Sequence, residues 1–311
     1  MSTPKSATPL QASHGGQGNS GTALRFLEST CSTLISAEQL LAVLASGSPV
    51  AVIDTSFDLA DTDAGERDWR ASHIPGSLYL HLNRDLSSAP GDGKRGRHPL
   101  PDRSAMADTL ARCGVTPATT VIAVDRQGGP YAARLWWLMR WMGHGAVAVL
   151  DGGVQAWSAA GGELTAETSS VSVAPAYPTN QPPLVATTDA ATLAAQLGRV
   201  RLIDARAPER FRGDVEPLDA AAGHIPGALN RFFKDNLGAD GRFKAADDLR
   251  AAFLPLIGPA EAGGTVHQCG SGVTACHNLL AMEVAGLHGS VLYPGSWSEW
   301  SSDPSRPVAK G

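Results

Sequence analysis

Two rhythms alternate along the chain. Short apolar runs of strand length recur: Val50-Ala51-Val52-Ile53, Val121-Ile122-Ala123-Val124, Val147–Leu150, Val200-Arg201-Leu202-Ile203 and Thr265–Gln268. Between them lie longer stretches whose apolar positions return at helical spacing, at Ala37–Ser46, Arg103–Cys113, Ala132–Met142 and about Thr274–Val284. In the last of these Leu279, Leu280, Met282 and Val284 form the apolar face, and Gly286 offers a C-cap. Gly143 and Gly145 stop the third before the next strand, and its Trp136, Trp137 and Trp141 suit core and domain contact. Strand and helix in alternation predict an α/β fold, a parallel sheet with helices on both faces.

The pattern occurs twice. Asp54 after its strand answers Asp204, His73-Ile74-Pro75-Gly76 answers His224-Ile225-Pro226-Gly227, Asp125 answers Cys269, and Trp157 answers Trp300, at offsets of 150, 151, 144 and 143 residues. Near-constant offsets over four landmarks mark a duplicated domain. We therefore expect tandem domains at residues 31–162 and 189–311. The Ser/Thr/Pro-rich stretch 163–188 reads as an extended linker wrapping the first. Residues 1–30 are polar and read as a disordered tail. In such sheets ligands sit beyond the carboxyl ends of the strands, where both Asp125 and Cys269 fall.

Length agrees with two domains: 311 residues exceed the size at which a single core stops growing. Hydrophobic residues make up 43% of the chain and charged ones 18%, a globular balance. The net charge of −5 is spread along the chain and gives no footprint for nucleic acid or an anionic membrane. No apolar run has the roughly 20 residues of a membrane span, and the N-terminus lacks a signal core. The four cysteines (31, 113, 269 and 276) form neither a disulfide framework nor a zinc-ligand spacing. No metal is expected, and a cytoplasmic, reducing setting suits a free thiol.

The chemistry concentrates at Thr265–Asn278, TVHQCGSGVTACHN. A strand runs into Cys269, then Gly270-Ser271-Gly272, then a helix. A strand, glycine-rich turn and helix form a nest of convergent N–H groups, with the helix dipole added, and such a setting favours a thiolate. Cys269 is the candidate nucleophile; Gly270, Gly272, Val273 and Thr274 are candidate contacts through their amides, and Ser271 adds a hydroxyl. A phosphate loop would need G-x-x-x-x-G-K-[ST], which is missing. A tyrosine-phosphatase loop would need arginine where Ala275 stands. A non-catalytic binding scaffold is the remaining rival; Asp125 takes that route in the first copy, because a carboxylate stands there in place of the thiol.

The run Cys269–Ala275, C-G-S-G-V-T-A, resembles the active-site loop of the mercaptopyruvate sulfurtransferases, close relatives of thiosulfate sulfurtransferase in the tandem-domain rhodanese family. With the repeat, the resemblance covers about Ile35 to Pro307. It implies two rhodanese-like domains with a silent first copy. It further implies a double displacement in which Cys269 takes sulfur from a small anionic donor, 3-mercaptopyruvate or thiosulfate, and passes it to cyanide, a small thiol or a thioredoxin-like protein thiol. No cofactor is implied, and a monomer is expected. Arg210 matches the family's substrate arginine, while Arg206 reads as a structural partner of nearby carboxylates. The family places a histidine across the cleft, assigned here to His73, relaying a proton with Ser271 and a carboxylate, Asp63, with Asp61 competing. His224 reads as structural, His267 as packing, Cys276 as core, and Trp297 and Trp300 as either core or cleft wall. One position departs: the family's carboxylate-clamping E-P-R is Glu216-Pro217-Leu218 here, so Arg212 or Arg231 would have to substitute, or thiosulfate would be the better donor.

Overall fold

The computed structural model describes residues 33–92, 94–258 and 262–311, so the expected tail and Cys31 lie outside the described residues. The first half builds strands β1 (Leu34–Ile35), β2 (Val50–Asp54), β3 (Leu78–Tyr79), β4 (Thr120–Val124) and β5 (Val147–Leu150). Helices α1 (Ala37–Ala45), α2 (Ala64–Ala71), α3 (Arg103–Arg112), α4 (Pro130–Trp141) and α5 (Gly153–Ala159) alternate with them. The second half supplies β6 (Ala186–Thr187), β7 (Arg201–Asp204), β8 (Ala228–Asn230), β9 (Thr265–Gln268) and β10 (Val291–Leu292). Its helices are α6 (Ala190–Gln196), α7 (Pro208–Arg212), α8 (Ala246–Ile257), α9 (Thr274–Val284) and α10 (Ser296–Trp300).

The two sheets have one topology. Their orders are β1-β5-β4-β2-β3 and β6-β10-β9-β7-β8, which coincide once each copy is counted from its own first strand. Every pairing is parallel, with Asp54 opposite Val124 in one sheet and Asp204 opposite Gln268 in the other. The central strands β4 and β9 are buried along their whole length, which is why both read as continuous apolar or mixed runs without alternation. Each ends in a loop that turns directly into a helix, α4 or α9.

Those two helices pack against each other across the domain boundary. Trp136, Leu135 and Met139 of the first half share one hydrophobic core with Ala275, Cys276, Leu279 and Leu280 of the second. The Cys269 loop is thus built over a seam, with the first domain as its floor.

The connecting segment does wrap the first domain. Thr165 pairs its backbone with His73, Ala174 donates to the Ala111 carbonyl, and Tyr177 bonds the His144 ring at 2.7 Å. It ends earlier than its composition indicates. Ala186–Thr187 is not linker but the edge strand of the second sheet, in register with Val291 and Leu292, so the expected boundary at 188 is corrected to 185.

Candidate active site

Cys269 follows β9 directly and is 2% exposed. Its Sγ accepts the Gly272 N–H at 3.1 Å, and its own N–H is held by Ser296 Oγ at 3.1 Å. Three of the loop carbonyls are engaged from outside. Trp297 N–H takes the Cys269 carbonyl at 3.0 Å, Ser298 N–H takes that of Gly270 at 2.9 Å, and Arg134 Nη1 takes that of Gly272 at 3.1 Å. With those three carbonyls turned away, the N–H groups of Gly270, Ser271, Val273 and Thr274 have no partner among the described residues. Gly272 sits at φ +78, and a Cβ there would lie 2.3 Å from the Pro294 carbonyl oxygen, so only glycine closes this turn.

The loop opens on a cavity of about 330 Å³ between the domains. Cys269, Gly270, Ser271, Val273 and Thr274 line one side, Phe57, Leu82 and Tyr131 of the first domain form an apolar wall, and Arg97, Arg210 and Lys234 face in. Behind the arginines lies a row of carboxylates. Arg210 Nη2 bonds Glu216 at 2.7 Å and Asp219 at 3.1 Å, and Arg97 bonds the other oxygen of Asp219. Arg206 is buried on Asp204 and Glu216, 4.8 Å above the Trp297 ring. Three arginines stand against three carboxylates, so the cluster is no long-range attractor. Its carboxylates fix the guanidinium forks and leave N–H groups pointing forward. Burial, then the neighbouring Arg210, draws the Arg97 guanidinium below its ordinary value, a tension that an incoming anion relieves.

One contact was not foreseen. His98 Nδ1 lies 2.7 Å from Ser271 Oγ across the domain boundary. Burial, with Arg134 and Arg97 close by, pushes this histidine down to about 3, so its ring is neutral at physiological pH. A neutral imidazole has one donor and one acceptor nitrogen, so the tautomer sets whether Nδ1 accepts from the Ser271 hydroxyl or donates to it.

The rhodanese-like domain matches the chain twice, at residues 36–160 and 189–303. The chain belongs to the tandem-domain rhodanese family of sulfurtransferases. It is 47% identical over 281 residues, 89% of this chain and 98% of the relative, to a protein of Pseudomonas aeruginosa named "Probable 3-mercaptopyruvate sulfurtransferase". It is 32% identical over 280 residues, 85% of this chain and 90% of the relative, to a mouse protein named thiosulfate sulfurtransferase. Among solved structures, 3-mercaptopyruvate sulfurtransferase from Leishmania major superposes with a TM-score of 0.76 at 28% identity, covering 87% of this chain and 74% of that one.

Within this rhodanese-family frame two sequence-based assignments are corrected. His73 is not at the cleft. It is fully buried in its own domain, with Nδ1 2.7 Å from the Trp69 carbonyl, its ring stacked on Trp69 at 4.5 Å, and its backbone paired with Thr165. His224 repeats this arrangement on the Phe211 carbonyl, the Phe211 ring and Ala309. Both histidines staple the chain that returns past each domain. Asp63 is exposed at the start of α2, caps nothing with its side chain and does not line the cavity; Asp61 pairs with Arg67. Arg212 and Arg231 do not fill the vacancy left by Leu218 either: Arg212 pairs with Asp214, and Arg231 bonds Asn236 over the Phe253 ring. Trp297 and Trp300 are fully buried and pack in the second core; neither lines the cavity.

Asp125 occupies the sister loop. Its carboxylate accepts four backbone N–H bonds, from Gly129 at 2.8 Å and from Gln127, Tyr131 and Ala132 at 3.0 Å. Burial alone would favour the neutral acid, but four donors on two oxygens leave no place for a proton. Cys276, beneath the active loop, is a core thiol that burial pushes up to about 12, which argues against a redox partner for Cys269.

Proposed function

We propose that the protein moves sulfane sulfur through a persulfide on Cys269. The observation that carries this reading is the pair of sister loops. In one, a two-oxygen anion at position 125 is wrapped by four amides; in the other, a lone sulfur sits in the same kind of turn with amides unclaimed. A second sulfur on Cys269 would reach as far as a carboxylate and carry the same charge.

The Cys269 thiolate attacks the outer sulfur of a small anionic donor. With thiosulfate the S–S bond breaks and sulfite departs with the bonding pair. With 3-mercaptopyruvate the C–S bond breaks, and the enolate left behind takes up the proton that the donor thiol gives up, yielding pyruvate. Ser271, bonded to neutral His98, is placed to carry that proton. The persulfide anion then takes N–H bonds from the loop, as an oxyanion would. An acceptor, whether cyanide, a small thiol or a thioredoxin-like protein thiol, removes the outer sulfur and restores the thiolate, giving ping-pong kinetics. Arg210 holds the donor's oxyanion end. A reducing cytoplasm suits both the thiol and such acceptors.

The test is mass spectrometry of the intact protein after incubation with each donor. Wild type should gain one sulfur atom on the Cys269 peptide and lose it on adding a thiol. Cys269→Ser should gain none and lose all turnover while remaining folded. Turnover retained in that variant would sink the reading.

A further inference from the structure

Behind the turn that backs the Cys269 loop lies a second cavity, of about 230 Å³, which shares no lining residue with the cleft in front. We propose that it is an effector site for a small α-amino acid, held as a zwitterion, whose binding is felt at Cys269 through the turn between the two cavities.

That turn is Pro294–Ser298. On its front face it holds the nucleophile's loop: Ser296 Oγ takes the Cys269 N–H, and the N–H groups of Trp297 and Ser298 take the carbonyls of Cys269 and Gly270. Ser296 is kept at φ +54, a conformation that persists only where the surroundings impose it. The first-domain segment Arg95–Pro99 crosses the turn, so closely that a Cβ at Gly96 would stand 2.6 Å from the Gly295 carbonyl oxygen. This segment divides the two spaces. Arg97 and His98 line the front cavity, and Arg95 and Pro99 line the rear one.

The rear cavity is apolar along Pro99, Leu100 and Pro294, and its polar groups are of both signs. Tyr293 is fully enclosed, yet its hydroxyl, near the Glu299 carboxyl, closes no hydrogen bond among the described residues, and neither does Thr188 Oγ1. The Glu299 carboxylate lies over the Gly295 backbone, with Oε2 1.5 Å from where a Cβ would stand. Burial pushes this carboxyl above its ordinary range, and the guanidinium that acts on it, Arg306, is paired with Asp303. Asp189 adds a second negative group, fixed by the Thr192 N–H and hydroxyl. Arg95 stands exposed at the rim with no partner among the described residues. An α-amino acid answers each of these groups. Its ammonium would face Glu299 and Asp189 and donate to the Tyr293 hydroxyl, its carboxylate would pair with Arg95, and a small aliphatic side chain would rest on Leu100 and the prolines. The volume lies below the roughly 300 Å³ at which sites for drug-sized ligands begin, which leaves no room for a nucleotide.

Calorimetric titration of the full chain with L-alanine, L-serine and L-leucine tests this; none carries a thiol, so none can serve as sulfur acceptor. At least one should bind with Kd at or below about 1 mM. Isovalerate and isoamylamine, with one charge each, should bind at least about tenfold more weakly. Glu299→Gln and Arg95→Ala should each weaken the amino acid about tenfold. Arg95→Ala, a change at the surface, should melt and turn over like wild type when no amino acid is present. Saturating thiosulfate should leave Kd unchanged, and the bound amino acid should alter kcat with thiosulfate at least about twofold. The proposal is overturned if none of the three binds at about 10 mM, if the singly charged probes bind as well, or if Arg95→Ala binds like wild type. Competition by thiosulfate would overturn it too, by putting the amino acid in the front cleft, and binding that leaves kcat unchanged would overturn the effector role. Wild type transferring no sulfur from any donor would instead remove the sulfurtransferase reading, and the calorimetry would still decide the site.

Discussion

Arg134 is a cation with no carboxylate partner among the described residues. It is fully buried on α4, and its guanidinium serves the carbonyls of Gly272, Leu86 and His98. Burial draws its guanidinium below the ordinary arginine value. An uncompensated buried charge is costly, and one aimed at the Cys269 loop would be offset by the anion that the proposed cycle places there. Arg134→Met should cost about 2–3 kcal/mol in urea unfolding through the orphaned carbonyls. It should also lower the sulfur-transfer rate at least about tenfold, because the loop loses a fixed dipole. Unchanged kinetics would assign Arg134 to packing alone. At this scale the sequence was only half legible. Cys269, Ser271 and the loop glycines stand in one recognisable run, and Arg210 in a second, the basic stretch after Asp204. His98, Arg97 and Arg134 come from the other domain, and no spacing along the chain connects them to Cys269. The repeat also misled, because HIPG draws the eye to His73. What both copies share is scaffold; His98 sits in an Arg-His-Pro-Leu-Pro stretch with no counterpart in the second copy, and that singularity was the available signal.

The elements themselves followed closely from apolar spacing. Thr265–Gln268, Thr274–Val284 and Val147–Leu150 fall where the pattern put them, and helices α1, α3 and α4 differ from it by one or two residues at their ends. The packing of α4 on α9 was less visible, since both helices are buried nearly all round and show no single apolar stripe to orient them. The turn joining β9 to α9 is where element and chemistry meet. Gly272→Ala forces a Cβ against the Pro294 carbonyl in a left-handed conformation, so either the Cys269 loop or the Pro294-Gly295 turn must move. A loss of about 2–4 kcal/mol is expected, with activity down more than about tenfold. Thermal melts and donor kinetics on the same sample would check both; a variant melting and turning over like wild type would mean the turn is looser than drawn here.

For the molecule as a whole, burial of imidazoles sets the response to acid. His98 and His267 are pushed down to about 3 and His277 to about 4, each chiefly by burial. A histidine depressed in the folded state contributes stability that is complete above its unfolded value near 6.5 and drains away as the pH falls toward its folded value. Buried carboxyls such as Asp54 and Glu299 are shifted upward and pull the other way at lower pH. A net loss of about 3 kcal/mol between pH 7 and 5 is expected from urea unfolding curves; a flat profile would contradict it. His277 gives this loss a place, since its Nε2 meets the Gly128 carbonyl across the seam at 3.0 Å. Asp125 bears on the same seam from the other side. Its cradle is permanently filled by its own carboxylate, whereas under the proposed persulfide cycle the cradle at Cys269 would fill and empty once per turnover. On that proposal one half of the protein would always be in the occupied form, and the rigidity it lends the shared floor would not depend on the state of the Cys269 loop.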